Sequence, residues 1–258
     1  YRFEVVPQVF VDGSDQELVD QDAGRDVIVD LDARDAGASD GGTSSGGAVD
    51  INALGDVVYL EGVDGIGSVD FDRQQIGREG FNSLKISTTV RGLDENDVEV
   101  ASNTSEINIF KQFDALTDRF AVETLEISGT DGTSEYWSLS SAEAVRDGGR
   151  ITETHIVADV SNTGKGILIG SETEADSYVV TGASNGAQIL VDGFDANDTI
   201  DLTSFGTDLS ATVQDGGTPD DTTDDYVEVT NNVDGISIAL LGITDTSNID
   251  DQLGISQE

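Results

Sequence analysis

Cysteine is absent from this 258-residue chain, so neither a disulfide nor a thiolate metal site holds the fold. Histidine occurs once, as His155 in "ITETHIVADV". One histidine excludes a His-rich zinc site and the H-E-x-x-H arrangement. A Ser–His–Asp triad would have to use this residue, which stands in a strand-like stretch, and no G-x-S-x-G elbow is present. Catalysis is therefore not expected of these residues. Paired carboxylates for glycoside hydrolysis are too numerous to single out. Methionine is missing even at position 1, which predicts a piece of a longer precursor. These residues show neither the pattern of a signal peptide nor a transmembrane run, so any export signal is expected to have been removed, to sit elsewhere, or to be the uncleaved C-terminus itself.

Positive charge is scarce. There are 12 basic residues against 52 acidic ones, a formal net charge of −40. Only Lys85, Lys111 and Lys165 are lysines. Such a surface repels nucleic acid and anionic membranes, so neither nucleic-acid binding nor membrane insertion is expected. Three uses of the acids remain open: binding divalent cations, holding water in high salt, and keeping the chain soluble.

Proline is also rare, at 2 residues, whereas glycine reaches 30, a balance that favours many turns and few stiff linkers. Apolar residues alternate with polar ones in "DVVYLEGV", "GSVDFD", "NSLKISTTV", "NDVEVAS", "EINIFKQF" and "AVETLEIS", the pattern of half-buried strands. The expected fold is all-β: stacked strands of β-roll or β-sandwich character, Asp/Gly-rich turns, and at most one or two short helices. The best helix candidate is "SLSSAEAVRD" (138–147). A β-rich module over 1–150 and a second β module over 151–258 are expected, divided near 145–165, where "RDGG" and "SNTGKG" cluster. No tandem repeat of fixed period is evident.

Calcium takes six to eight oxygen ligands, and Asp in glycine-rich turns supplies them. Four clusters qualify. In "VDGFDANDTIDL" (191–202), Asp195, Asn197 and Asp198 fall on a turn flanked by Asp192 and Asp201. In "DGGTPDDTTDDY" (215–226), Asp220, Asp221, Asp224 and Asp225 crowd one loop. "VDLDARDAGASDGG" (29–42) holds Asp30, Asp32, Asp35 and Asp40, and "GLDENDVEV" (92–100) adds Asp94, Asn96 and Asp97. The alternative for each is a solvated acidic loop. None has the EF-hand spacing. Tyr136 and Trp137 in "SEYWSLS" are read either as a sugar-stacking platform or as core.

The stretch "SETEADSYVV" (171–180) resembles the last repeat of RTX proteins, secreted bacterial proteins whose G-G-x-G-x-D-x-U-x nonapeptides wind into a calcium-binding parallel β-roll. Asp176 stands at the ligand position and Tyr178 at the inward apolar one; Ser171, Glu172 and Glu174 replace the glycines. "GAQILVDGFDANDTIDLTSFG" and "DDYVEVTNNVDGISIALLGIT" are similar to the segments that follow such arrays. Residues 71–127 look like segments in the tails of very large RTX-type surface proteins. No intact nonapeptide is present; "DGIGSVDFD" (64–72) comes near, with its Asp one position late. The resemblance implies a secreted, type I-exported, calcium-stabilised structural or adhesion module of the cell surface. Its expected cofactor is Ca2+, and its expected partners are calcium ions, copies of itself or cell-surface polysaccharide. A salt-adapted subunit without specific calcium sites and an accessory domain of a secreted hydrolase are the alternatives.

Overall fold

A computed structural model describes residues 2–5, 25–28, 57–61, 63, 65–75, 81–93, 99–109, 111–115, 122–128, 133–171, 174–206, 208–215, 225–243 and 253. These residues are nearly all strand, and the protein is all-β. The N-terminal strands are β1 (Arg2–Val5), β2 (Arg25–Ile28), β3 (Val57–Glu61), β4 (Val69–Gln75), β5 (Phe81–Leu93), β6 (Glu99–Ile109), β7 (Thr124–Ser128) and β8 (Ser134–Leu139). Then follow β9 (Ser141–Asp147), β10 (Arg150–Asp159), β11 (Lys165–Ile169), β12 (Ser177–Thr181), β13 (Gln188–Asp192) and β14 (Thr199–Asp201). The last strands are β15 (Leu209–Gln214), β16 (Tyr226–Asn231) and β17 (Ser237–Leu241).

The helix expected over 138–147 is not formed. That stretch is the end of β8 and the whole of β9. β9 runs back along β10 through Gly148 and Gly149, whose φ angles are 55° and 84°. Two consecutive positive φ values make the tight turn whose twist matches paired strands. Hydrogen bonding to β10 thus overrides the weak helical preference of "SLSSAEAVRD", whose three serines offer a helix little support. The "RDGG" cluster is a hairpin turn, and "SNTGKG" forms the corner between β10 and β11. β8, from the first expected block, pairs parallel with β11, from the second, so both share one sheet.

Among the described residues the strands form three sheets: β1-β3-β7-β8-β11-β13-β17-β16-β15, β14-β12-β10-β9 and β2-β6-β5-β4. From β10 the chain alternates between the first two. β10, β12 and β14 lie parallel in one, and β11, β13 and β17 parallel in the other. Each circuit is one rung of a two-sheeted roll. Ile156 pairs with Tyr178 and Tyr178 with Ile200, a step of 22 residues. The period escaped sequence reading because the rungs share little: two of the three carry an Asp two places before the inward apolar residue, and the first has Thr154 there.

Register and pleat decide what lies inside. Ile156, Ala158, Tyr178, Val180 and Ile200 face inward from one sheet. Leu168, Ile189, Val191, Ile238 and Leu240 meet them from the other. Ile167 projects from the opposite face of β11, together with Leu125, Trp137 and Leu139 of the neighbouring strands. The antiparallel sheet adds the cross-strand pairs Leu84/Ile109 and Ile86/Ile107. All of these are buried in one continuous core. Among the described residues no helix is long and apolar enough to cross a membrane.

Candidate functional site

Asp176 and Asp198 each precede a strand of the roll by one residue and stand two residues before Tyr178 and Ile200. They occupy equivalent places on successive rungs, and both are buried. Where a parallel rung turns between sheets, its backbone N–H groups lose strand partners while packing excludes water; such groups need an acceptor. The two carboxylates supply it. Asp198 Oδ1 accepts the Asp176 N–H at 2.7 Å, and Oδ2 accepts the Asp195 N–H at 2.7 Å. Asp176 Oδ2 accepts the Ser171 N–H at 2.6 Å. Its Oδ1 accepts from Arg73 Nη1 of β4 at 3.0 Å, an ion pair in which both side chains are 8% exposed.

Tyr178 closes the cluster from inside. Its hydroxyl donates to the Gly193 carbonyl at 3.3 Å and lies 3.5 Å from Asp198 Oδ2. Its ring packs on Phe194 at a centroid distance of 5.9 Å. Gly170 is required here. A Cβ at that position would overlap Tyr178 Oη and come within 2.9 Å of Asp176 Oδ2. Gly193, at φ 76°, turns the next rung 3.1 Å from the Gly170 carbonyl carbon, measured from an ideal Cβ.

The electrostatics follow from burial among like charges. Asp198 titrates above the usual carboxylate range, chiefly because burial penalises its charge. The charges of Asp195 and Asp176 add to this, and the two N–H bonds pull the other way. Tyr178 is pushed well above the phenol range by burial, then by Asp198 and Asp176, while Arg73 opposes. Asp201 is held below its usual value by the Thr203 hydroxyl and N–H, with a further contribution from His155.

The other predicted ligands are placed differently. Asp195 Oδ1 accepts the Asn197 N–H at 2.6 Å and Asp201 Oδ1 the Thr203 N–H at 2.9 Å, both local side-chain turns. Asp192 ends β13, and its carbonyl accepts the Gly170 N–H at 2.9 Å. Asn197 is exposed in the turn, and Asp225 is half-buried just before β16. The structure thus brings Asp176, Asp195 and Asp198 into one hydrogen-bonded network. Asp220, Asp221, Asp224, Asp30, Asp32, Asp35, Asp40, Asp94, Asn96 and Asp97 lie outside the described residues. Among the described residues no group of three or more His, Asp or Glu is arranged to hold a metal ion.

Arg73 is the participant that sequence reading missed. Its signal was there: in "VDFDR" strict alternation puts Arg73 on the same face as Val69 and Phe71, and a charge on an apolar stripe needs a buried partner. Trp137 is 3% exposed, which excludes it from an open sugar platform. Its Nε1 donates to Glu135 Oε2 at 3.3 Å, and Lys165 Nζ sits 5.0 Å from the ring centroid. His155 is in β10, as expected of a strand residue, with Nε2 3.2 Å from Glu153 Oε1. A comparison with protein-family models finds no match, and neither does a comparison with curated proteins.

Proposed function

We propose that the chain is a non-catalytic structural module of a secreted, RTX-type surface protein, an acidic β-roll that folds when cations offset its charge. The observation that carries this reading is the recurrence of a buried Asp before the inward residue of successive parallel rungs, at Asp176 and Asp198. It matches the Asp position of the resemblance drawn from "EADSYVV". The role is load and shape: a stack of rungs extends a surface protein without active-site chemistry. The only histidine supports this, since it bonds a glutamate rather than a hydroxyl nucleophile.

Calcium acts in this proposal at carboxylates other than the buried Asp176 and Asp198: exposed Asp201, half-buried Asp195, whose carboxylate accepts the local Asn197 N–H, and the acidic segments 215–226 and 29–42. With a net charge of −40, self-repulsion opposes compaction where cations are dilute, and any ion that binds only the folded chain stabilises it. Copies of the chain and cell-surface polysaccharide are the partner classes that go with such a role.

The test is a thermal melt followed by circular dichroism after chelator treatment, with added calcium, magnesium or sodium chloride. A sharp rise in Tm with calcium below the millimolar range, unmatched by magnesium or salt at equal ionic strength, is the expected result. Equal effects of salt and calcium would leave a charge-screened structural module without specific sites. Turnover of a protease, lipase or polysaccharide substrate by the isolated chain would overturn the non-catalytic reading.

A further inference from the structure

The carboxylate network has a direction. Asp198 reaches back one rung to the Asp176 N–H. One 22-residue step further back the equivalent position is Thr154, in β10. There β10 is already paired with β9, with Thr154 opposite Ala144. Asp176 Oδ1 does not continue the series; it accepts from Arg73 of another sheet. Arg73 is buried, stacks over Phe113 at 4.9 Å, and its Nε has no partner among the described residues. Of the ion pairs among the described residues, only Arg73–Asp176 is buried on both sides. Among the described residues Arg73 has one carboxylate partner, and a guanidinium held in this place serves it.

We propose that Arg73 caps the series of corner aspartates: its guanidinium takes the Asp176 oxygen that, unlike Asp198 Oδ1, does not reach back to the preceding rung, and by the same bond fixes the β4–β5–β6 sheet to the roll. The sheet itself continues into β10 and β9; what ends at Asp176 is the chain of buried carboxylates, and a single side chain from a neighbouring sheet closes it. The inference is independent of calcium and of secretion.

The experiment is native-state hydrogen exchange, read by mass spectrometry on the full chain, for Arg73→Gln, Asp176→Asn and the double variant. Arg73→Gln keeps a flat polar group over Phe113 and removes the charge. It should cut protection at least tenfold in two separate stretches, residues 69–75 and 170–178, because one bond holds both; losing one partner of a buried pair is strongly destabilising. The double variant should fall short of the sum of the singles by roughly tenfold in protection, the signature of a direct coupling. Arg73→Lys, which keeps the charge without the fork, should give intermediate protection in both stretches. Strictly additive losses, loosening confined to one stretch, or a lysine variant no better than glutamine would each overturn the proposal. Should Arg73→Gln not fold, Asp176→Asn and Arg73→Lys carry the comparison by themselves.

Discussion

The antiparallel β4–β5–β6 sheet and the parallel roll are built from similar residues and solve different problems. In the sheet, β5 and β6 are 13 and 11 residues long and pair through a short connection, so nearly every backbone group finds its partner in the adjacent strand. Its apolar pairs, Leu84/Ile109 and Ile86/Ile107, need no polar assistance. The roll pairs residues 22 apart along β10, β12 and β14 and 23 apart between β11 and β13, and must turn sharply twice per rung. Its corners strand N–H groups away from water, and aspartates are brought inside to accept them. The same residue type that lies on the solvated surface elsewhere becomes interior framework there. Hydrogen bonding at corners, more than apolar pattern, separates the two regions.

That contrast is broken or sharpened by substitution. The largest effect belongs to the sheet: Leu84→Ala, at a fully buried position, should cost about 3 kcal/mol from lost burial and the cavity left behind. Urea unfolding should register it as a lower midpoint with little change in slope. In the roll, Gly170→Ala should cost about 2–3 kcal/mol, since the new methyl overlaps Tyr178 Oη. Near-neutral stability there would mean that the corner repacks freely, against the close approach described above.

Next come two aspartates a rung corner apart. Asp198→Asn turns an amide donor toward one of two N–H donors and should cost about 2 kcal/mol. Asp201→Asn keeps an acceptor for the Thr203 N–H in an exposed local turn, removes only the charge, and should cost about 0.5 kcal/mol. Equal costs would erase the distinction between framework and surface aspartate.

The smallest effect is in the pH dependence, where the two differ in sign. Asp198 titrates higher in the folded chain than unfolded, so its charge costs stability above that range, and the cost is relieved as pH falls through its folded value. Asp201 titrates lower when folded, so its contribution is present above the unfolded carboxylate value and is lost as pH falls. Stability differences from the wild type, measured from neutral pH down to about 3 where an unfolded Asp titrates, should widen for Asp198→Asn and shrink for Asp201→Asn. Parallel curves would refute the assigned causes.

Much of this protein is legible in its chain. Alternation in "NSLKISTTV" and "SIALL" follows from packing one strand face against a core, and it locates β5 and β17. The absence of cysteine and the solitary histidine bound the chemistry before any fold is known. The turn at Asp195–Asp198, flanked by strands, could be read from its Asx and glycine residues, whereas the inward position of Tyr178 came from the resemblance of "EADSYVV" to a repeat. "RDGGR" carried a hairpin signal that outranked the helical composition beside it, because two glycines allow a turn that a helix cannot use.

What each aspartate does is another matter. Asp195, Asp198 and Asp201 are neighbours in sequence and chemically identical, yet one bridges two rungs while its neighbours make local turns. Burial sets that difference, and burial depends on which strands stack across a 22-residue gap. The partner of Asp176 lies 103 positions away at Arg73, beyond the reach of any local pattern. Local sequence determines strand, turn and charge because these arise from neighbouring residues. The tertiary structure alone decides which charges leave water and what receives them, because that energy exists only once distant strands have met.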